Sequence, residues 1–258
     1  MPAGRMYLVK RGTAQQNTTT LRKRVERVER TLRHGREHKV ARISGEQNIT
    51  NSITEANLIP FFPDIPIGTG EDGGGRIGLE IRVKKVILKT WIQYAPLDVN
   101  NRVARDQANV MARHIIFKQR DQMSAEGLIS PGVFVSGELL ESGSFTAANE
   151  FRNIMSPINR DLFSVKSDKK LKITNAVDTS DPNTDVGPNP YNFKIVNKTM
   201  RFGKGAGKKL TFSKDIGTVK PVQFPWVLTA GYCNTNGTNA TANAARIYYD
   251  CTVYYTDS

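Results

Sequence analysis

The feature that most constrains this chain is a two-residue alternation of apolar and polar side chains that recurs along most of its length without a long helical pattern between. The stretch ARIYYDCTVYYTD (245–257) is the clearest case. Ala245, Ile247, Tyr249, Cys251, Val253 and Tyr255 share one face, and Arg246, Asp250 and Thr252 share the other. That is the signature of a half-buried antiparallel strand. RIGLEIRVKKVILKTWIQY (76–94) alternates through Ile77, Leu79, Ile81 and Val83, then changes face around Lys84–Val86, which predicts a long strand carrying a bulge. VMARHIIFKQR, LFSVKSDKKLKIT, YNFKIVNKTMRF, KKLTFSK and FPWVLTAGYCN read as further strands. Seven or eight strands without alternating helices favour a sandwich or jelly roll over any α/β fold. One short helix fits SFTAANEFRNIM, inside a long connection at 121–160. A second long connection, 175–190, holds Asp178, Asp181 and Asp185 without a basic residue and predicts an acidic patch.

Charge divides the chain. The 258 residues carry 37 Lys and Arg against 24 Asp and Glu, a formal net charge of +13, which calls for a polyanionic partner, nucleic acid or an anionic membrane. Residues 1–42 hold twelve of the basic residues and three of the acidic ones, so a basic arm (1–42) precedes a nearly balanced body (43–258). Within LRKRVERVERTLRHGREHK (21–39), Leu21, Val25, Val28 and Leu32 recur at spacings of four, three and four, which predicts an amphipathic helix over about 21–34. Glu26–Arg30 and Glu29–Arg33 are i, i+4 pairs, and Gly35 stands where such a helix would end. A helix of that length is marginal alone. The reading is that copies of the chain bundle through the apolar seam. Arg22, Lys23, Arg24, Arg27, Arg30, Arg33, Arg36, Lys39 and Arg42 then face phosphate.

Other chemistry finds little footing. GTGEDG (68–73) matches a dinucleotide fingerprint in spacing, but a proline-rich loop precedes it and a strand follows, so its glycines read as conformational. No nucleophile elbow is present, and His114 reads as a strand residue rather than a general base, so no enzymatic activity is expected. Cys233 and Cys251 read as buried free thiols. The first residues lack the apolar core of a signal peptide, and no apolar run reaches membrane-spanning length. Lysines at 166, 169, 170, 172, 194, 198, 204, 208, 209, 214 and 220 fit a solvated, aggregation-resistant strand edge and a nucleic-acid lining equally well.

The basic helix followed by EHK, the turn GED with RIGLEI behind it, MRFGKGAGKKLTFSKD, PWVLTAGYC and the closing VYYTD together resemble a known family. These are the satellite tobacco necrosis virus-like single jelly-roll capsid proteins, as found in circular Rep-encoding single-stranded DNA viruses. The resemblance implies an all-β fold, an eight-stranded antiparallel jelly roll of two four-stranded sheets with a short basic helical arm. It implies a T=1 icosahedral shell of sixty copies, arms bundled at threefold axes, enclosing single-stranded nucleic acid, DNA favoured over RNA. No cofactor is required. The resemblance adds calcium at subunit contacts, held by the carboxylates of Glu37 and Asp257 and the carbonyls of Ile77 and Glu80, with Glu71 matching an acidic threefold position. The expected location is the virion, with passage through a host nucleus during assembly; no membrane partner is expected, and no receptor is legible. The alternatives are a satellite RNA virus coat and a cellular β-sandwich that binds nucleic acid.

Overall fold

A computed structural model describes residues 21–25, 38–68, 75–94, 109–146, 150–174, 193–203, 207–214, 219–234 and 245–257. The chain divides into two units, Met1–His38 and Lys39–Ser258. In the first, residues 21–25 are helical; the rest of the helix expected over 21–34 lies outside the described residues.

The second unit is a β-sandwich. Its strands are β1 (Lys39–Ile49), β2 (Glu80–Tyr94), β3 (Asn109–Gln119), β4 (Phe163–Thr174), β5 (Phe193–Arg201), β6 (Lys208–Thr211), β7 (Val227–Asn234) and β8 (Ala245–Asp257). One sheet has the order β1-β8-β2-β5, with β6 also on β2; the other has the order β4-β3-β7. Every strand pair is antiparallel. The division is thus five and three strands rather than four and four. β5 and β6 are two pieces of one edge: β5 pairs with Lys85–Gln93 and β6 with Glu80–Val83. Between them the register of β2 slips at Lys84, where the sequence predicted a bulge. The β7 edge of the smaller sheet takes two isolated bridges, a parallel one from Thr50 to Gly231 and an antiparallel one from Ile59 to Leu228. Ile59 exchanges both backbone hydrogen bonds with Leu228 of β7, at 2.8 and 2.9 Å.

Four antiparallel pairs therefore nest within one another along the chain. β3 with β4 is innermost, then β2 with β5 and β6, then Ile59 with β7, and β1 with β8 outermost. The β2–β8 and β3–β7 ladders join these pairs into the two sheets.

β1 is the strand whose position the alternation did not reveal. Its inward positions include Gly45 and Gln47, so hydrophobic contrast is weak, yet it pairs with β8 from Lys39↔Tyr255 to Ile49↔Ala245. Its start also places the boundary between units at Lys39, inside the stretch expected to be arm, so Lys39 and Arg42 belong to the sheet.

The core lies between the sheets. Val86, Leu88 and Ile92 of β2 and Ile247, Cys251 and Val253 of β8 meet Ala112 and Ile116 of β3 and Leu228 and Tyr232 of β7. This is the inward set read from 245–257, Tyr249 packing at its border. A second core sits on the far side of the smaller sheet. Ile115, Phe117, Phe163, Val227 and Cys233 point away from the first core into Leu128, Phe134, Leu139, Phe145 and Ile154. The long connection 121–160 is thus structural cover, and helix Glu150–Met155 falls where SFTAANEFRNIM predicted one. With both faces covered, β7 is buried at every residue. Connection 175–190 lies outside the described residues.

Candidate functional site

In the arm unit, Leu21 and Val25 stand one helical turn apart and are 59% and 54% exposed in the single chain. Arg22, Lys23 and Arg24 are exposed beside them. The other arm residues singled out, Arg27, Val28, Arg30, Leu32, Arg33, Arg36 and Glu37, lie outside the described residues, as does Glu71.

Asp257 and Lys39 meet at one end of the larger sheet. The Lys39 Nζ lies 2.8 Å from an Asp257 carboxylate oxygen and donates to the Gly75 carbonyl at 2.9 Å. The Ile77 N–H faces the other Asp257 oxygen at 3.5 Å. Lys39 is buried and Asp257 is partly exposed. The strand ladder dictates this meeting, since β1 and β2 flank the end of β8. Glu80, whose carbonyl was the expected calcium ligand, pairs its side-chain carboxylate with Lys209 at 2.6 Å. Of the carboxylates expected at the metal site only Asp257 is described, and Lys39 neutralises it. No group of three His, Cys, Asp or Glu side chains converges among the described residues. The described members of the expected set, Ile77, Glu80 and Asp257, do not by themselves make a calcium site within one chain.

The outer face of the larger sheet is built differently from that of the smaller one. Alternation along β2 turns Lys85, Ile87, Lys89, Trp91 and Gln93 outward, because Val86, Leu88, Thr90 and Ile92 are buried. The ladders set cross-strand neighbours beside them. Trp91 lies between Tyr248 and Ile195, Lys89 between Asp250 and Asn197, and Lys85 between Tyr254 and Arg201. Further across β8, Arg42 stands opposite Thr252 and Glu46 opposite Tyr248. Trp91 is 41% exposed and Ile195 55% exposed, while Phe193 stacks on the Trp91 ring at 4.2 Å between centroids. The Lys85 ammonium sits 4.1 Å over the Tyr254 ring. The described outward positions of β1, β8, β2 and β5 include the cations Arg42, Arg82, Lys85, Lys89, Arg201 and Arg246 and the carboxylates Glu46, Glu80 and Asp250. Arg246 pairs with Glu46 at 4.0 Å and Glu80 with Lys209 of β6.

Among the described residues, the lysines singled out in the middle of the chain spread over several separate settings. Lys166 and Lys118 hold their ammonium groups 5.1 and 5.8 Å from the Trp226 ring. Nearby Lys208 is lowered from its ordinary value by burial first, then by repulsion from Lys118 and Lys166. Lys209 pairs with Glu80, and Lys220 stands between Asp64 and Glu126 at 3.9 Å from each. Lys169, Lys170 and Lys172 are exposed along β4.

Arg113 on β3 points into the second core's polar border. It makes a two-pronged pair with Asp168 of β4, at 2.9 and 2.7 Å, and donates to the carbonyls of Asn153 and Ser156. His114, next along β3, points the opposite way into the inter-sheet core, its Nε2 3.1 Å from the Thr90 hydroxyl of β2. Cys233 and Cys251 are buried and share no disulfide. They sit in different cores, and burial pushes the Cys251 thiol up to about 12. The loop holding GTGEDG is closed at its neck. The Gly68 N–H donates to the Arg76 carbonyl at 3.1 Å and the Arg76 N–H to the Pro66 carbonyl at 2.9 Å; residues 69–74 lie outside the described residues. Among the described residues no helix is long and apolar enough to cross a membrane.

No protein-family model matches this chain, and no curated protein matches it. Among solved structures, Merkel cell polyomavirus VP1 in complex with GD1a oligosaccharide aligns over 86% of this chain and 78% of its own, at 9% identity and a TM-score of 0.14. A superposition that loose carries no argument about the fold, which rests on the strand pairing above.

Proposed function

We propose that this chain is a viral capsid protein with a jelly-roll body, sixty copies of which form an icosahedral shell around single-stranded DNA. The observation that carries the reading is the nesting of antiparallel pairs, β3–β4 inside β2–β5/β6 inside Ile59–β7 inside β1–β8. A long hairpin folded over on itself has that order, and it is the jelly roll of capsid, lectin and cupin domains. Charge separates these. A lectin or cupin has no use for a segment with ten basic and three acidic residues ahead of its sandwich, whereas a shell that must neutralise phosphate does. Sixty such arms, at a net +7 each, carry about 420 positive charges, enough to offset roughly as many nucleotides. Exposure of Leu21 and Val25 in the single chain fits a seam that closes only against other copies, which the resemblance sets at threefold axes.

The test is particle mass together with nuclease sensitivity. Purified protein should elute as megadalton particles whose extracted nucleic acid is destroyed by DNase. Destruction by RNase instead would make it the coat of an RNA satellite. A small oligomer without nucleic acid would leave a cellular sandwich domain as the better account.

A further inference from the structure

We propose that the outer face of the larger sheet is a second nucleic-acid site, separate from the arm, which stacks unpaired bases on Trp91 and holds their phosphates on the neighbouring cations. The inference rests on the nucleic-acid reading above and extends it to the body. Trp91 is the anchor. Sheet alternation turns it outward, Phe193 braces it from one side at a centroid distance of 4.2 Å, and Tyr248 and Ile195 flank it in register. A braced, 41% exposed indole on an otherwise regular sheet is a flat apolar surface awaiting a flat partner. Lys89 stands one outward position along β2 from it and Lys85 two further on, beside Arg201. On one face, outward positions of a strand repeat every ~7 Å. The track from Trp91 to Lys85 is thus on the order of 20 Å, room for a few nucleotides.

Stacking platforms flanked by a positive groove are how single strands are held without reading sequence. The surplus of cations over carboxylates on this face, six against three, selects the polyanion over the other possible occupant, a second copy of the same face. Two such faces meeting symmetrically would bring like charges together. A duplex is disfavoured because its bases present no open ring to Trp91.

Titration of the full-length protein with a twenty-residue oligodeoxythymidylate, followed by tryptophan fluorescence and by anisotropy of a labelled strand, tests this. The wild-type signal should be quenched. Trp91→Leu should abolish the quench while leaving the Trp226 emission, and should weaken binding about tenfold, within the range removal of a stacking ring produces. Its melting temperature and particle yield should stay at wild type. Lys89→Gln should lower the slope of log affinity against log salt by about 0.7. Unchanged quench and affinity in Trp91→Leu overturn the inference and leave the arm as the binding element. Lost particles with unchanged affinity overturn it too, and make the face a contact between copies. No binding of the oligonucleotide to the wild type, even at low salt, removes the packaging reading itself.

Discussion

His114 shows how far one residue's surroundings can set its chemistry. Its ring is fully buried between the sheets, and burial, ahead of repulsion from Lys169, pushes it down to about 4. An unfolded chain takes up the proton near pH 6.5, whereas the folded one stays neutral until about 4. Stability is therefore whole above pH 6.5 and drains away as pH falls toward 4, by at most roughly 3 kcal/mol. Urea unfolding of wild type and His114→Asn at pH 7 and pH 4.5 should show the wild type losing more on acidification. Equal losses would mean that the ring titrates normally. Lys39 makes the second residue-scale case. Its ammonium already neutralises Asp257 and satisfies the Gly75 carbonyl, so Lys39→Met strands both and should destabilise by about 1–3 kcal/mol. With that cation built in, the wild-type melting temperature should be the same in calcium and in chelator at pH 8; a rise of several degrees in calcium would restore a metal site formed between copies.

At the scale of elements, the Arg113 cluster pins the cover to the smaller sheet. One side chain joins β3, β4 and the carbonyls at the end of helix Glu150–Met155, so its loss unpairs Asp168 and frees the helix together. Arg113→Met should destabilise by about 3 kcal/mol, the lower end for breaking a buried pair, because Asp168 keeps some solvent. Limited proteolysis should then cut first within 121–160, and cleavage elsewhere would show that the cover is held by its apolar contacts alone. Packing on this side is tight. A Cβ at Gly231 of β7 would sit 2.6 Å from the Phe145 ring and 3.0 Å from Ile53, so Gly231→Ala should destabilise by roughly 1–3 kcal/mol in thermal melting.

For the whole molecule, the unit boundary at Lys39 changes where the arm can be cut. Removing residues 1–38 leaves β1 and the Lys39–Asp257 pair intact, so the remaining unit should melt within a few degrees of the full chain. It should also yield particles that carry much less nucleic acid than those of the full chain, by their absorbance ratio. Removing 1–42 instead strips the first four rungs of the β1–β8 ladder and should lower the melting temperature markedly. If both truncations package nucleic acid as the full chain does, the arm is not the packaging element. If the two melt alike, β1 contributes little where it meets the end of β8.

The alternation in 76–94 and 245–257 determined β2 with its bulge and β8 with its inward face, because burial of one sheet face acts on residues two apart and leaves its mark locally. The spread of Lys and Arg likewise determined, without any coordinates, a basic segment and a balanced body. β1 escaped because only Ala41, Ile43 and Ile49 supply contrast on its inward side, and its strand character comes from the eleven partners that β8 provides. The cover on the smaller sheet escaped for a related reason. Ile115 and Phe117 are apolar on the face that a lone sandwich would show to water, and what hides them is a connection with little periodicity of its own. The aromatic and cationic face, the Lys39–Asp257 pair and the nested strand order were decided by tertiary structure alone. Each depends on pairings between residues far apart in the chain, and a periodicity of two says which way a side chain points but not which strand lies beside it.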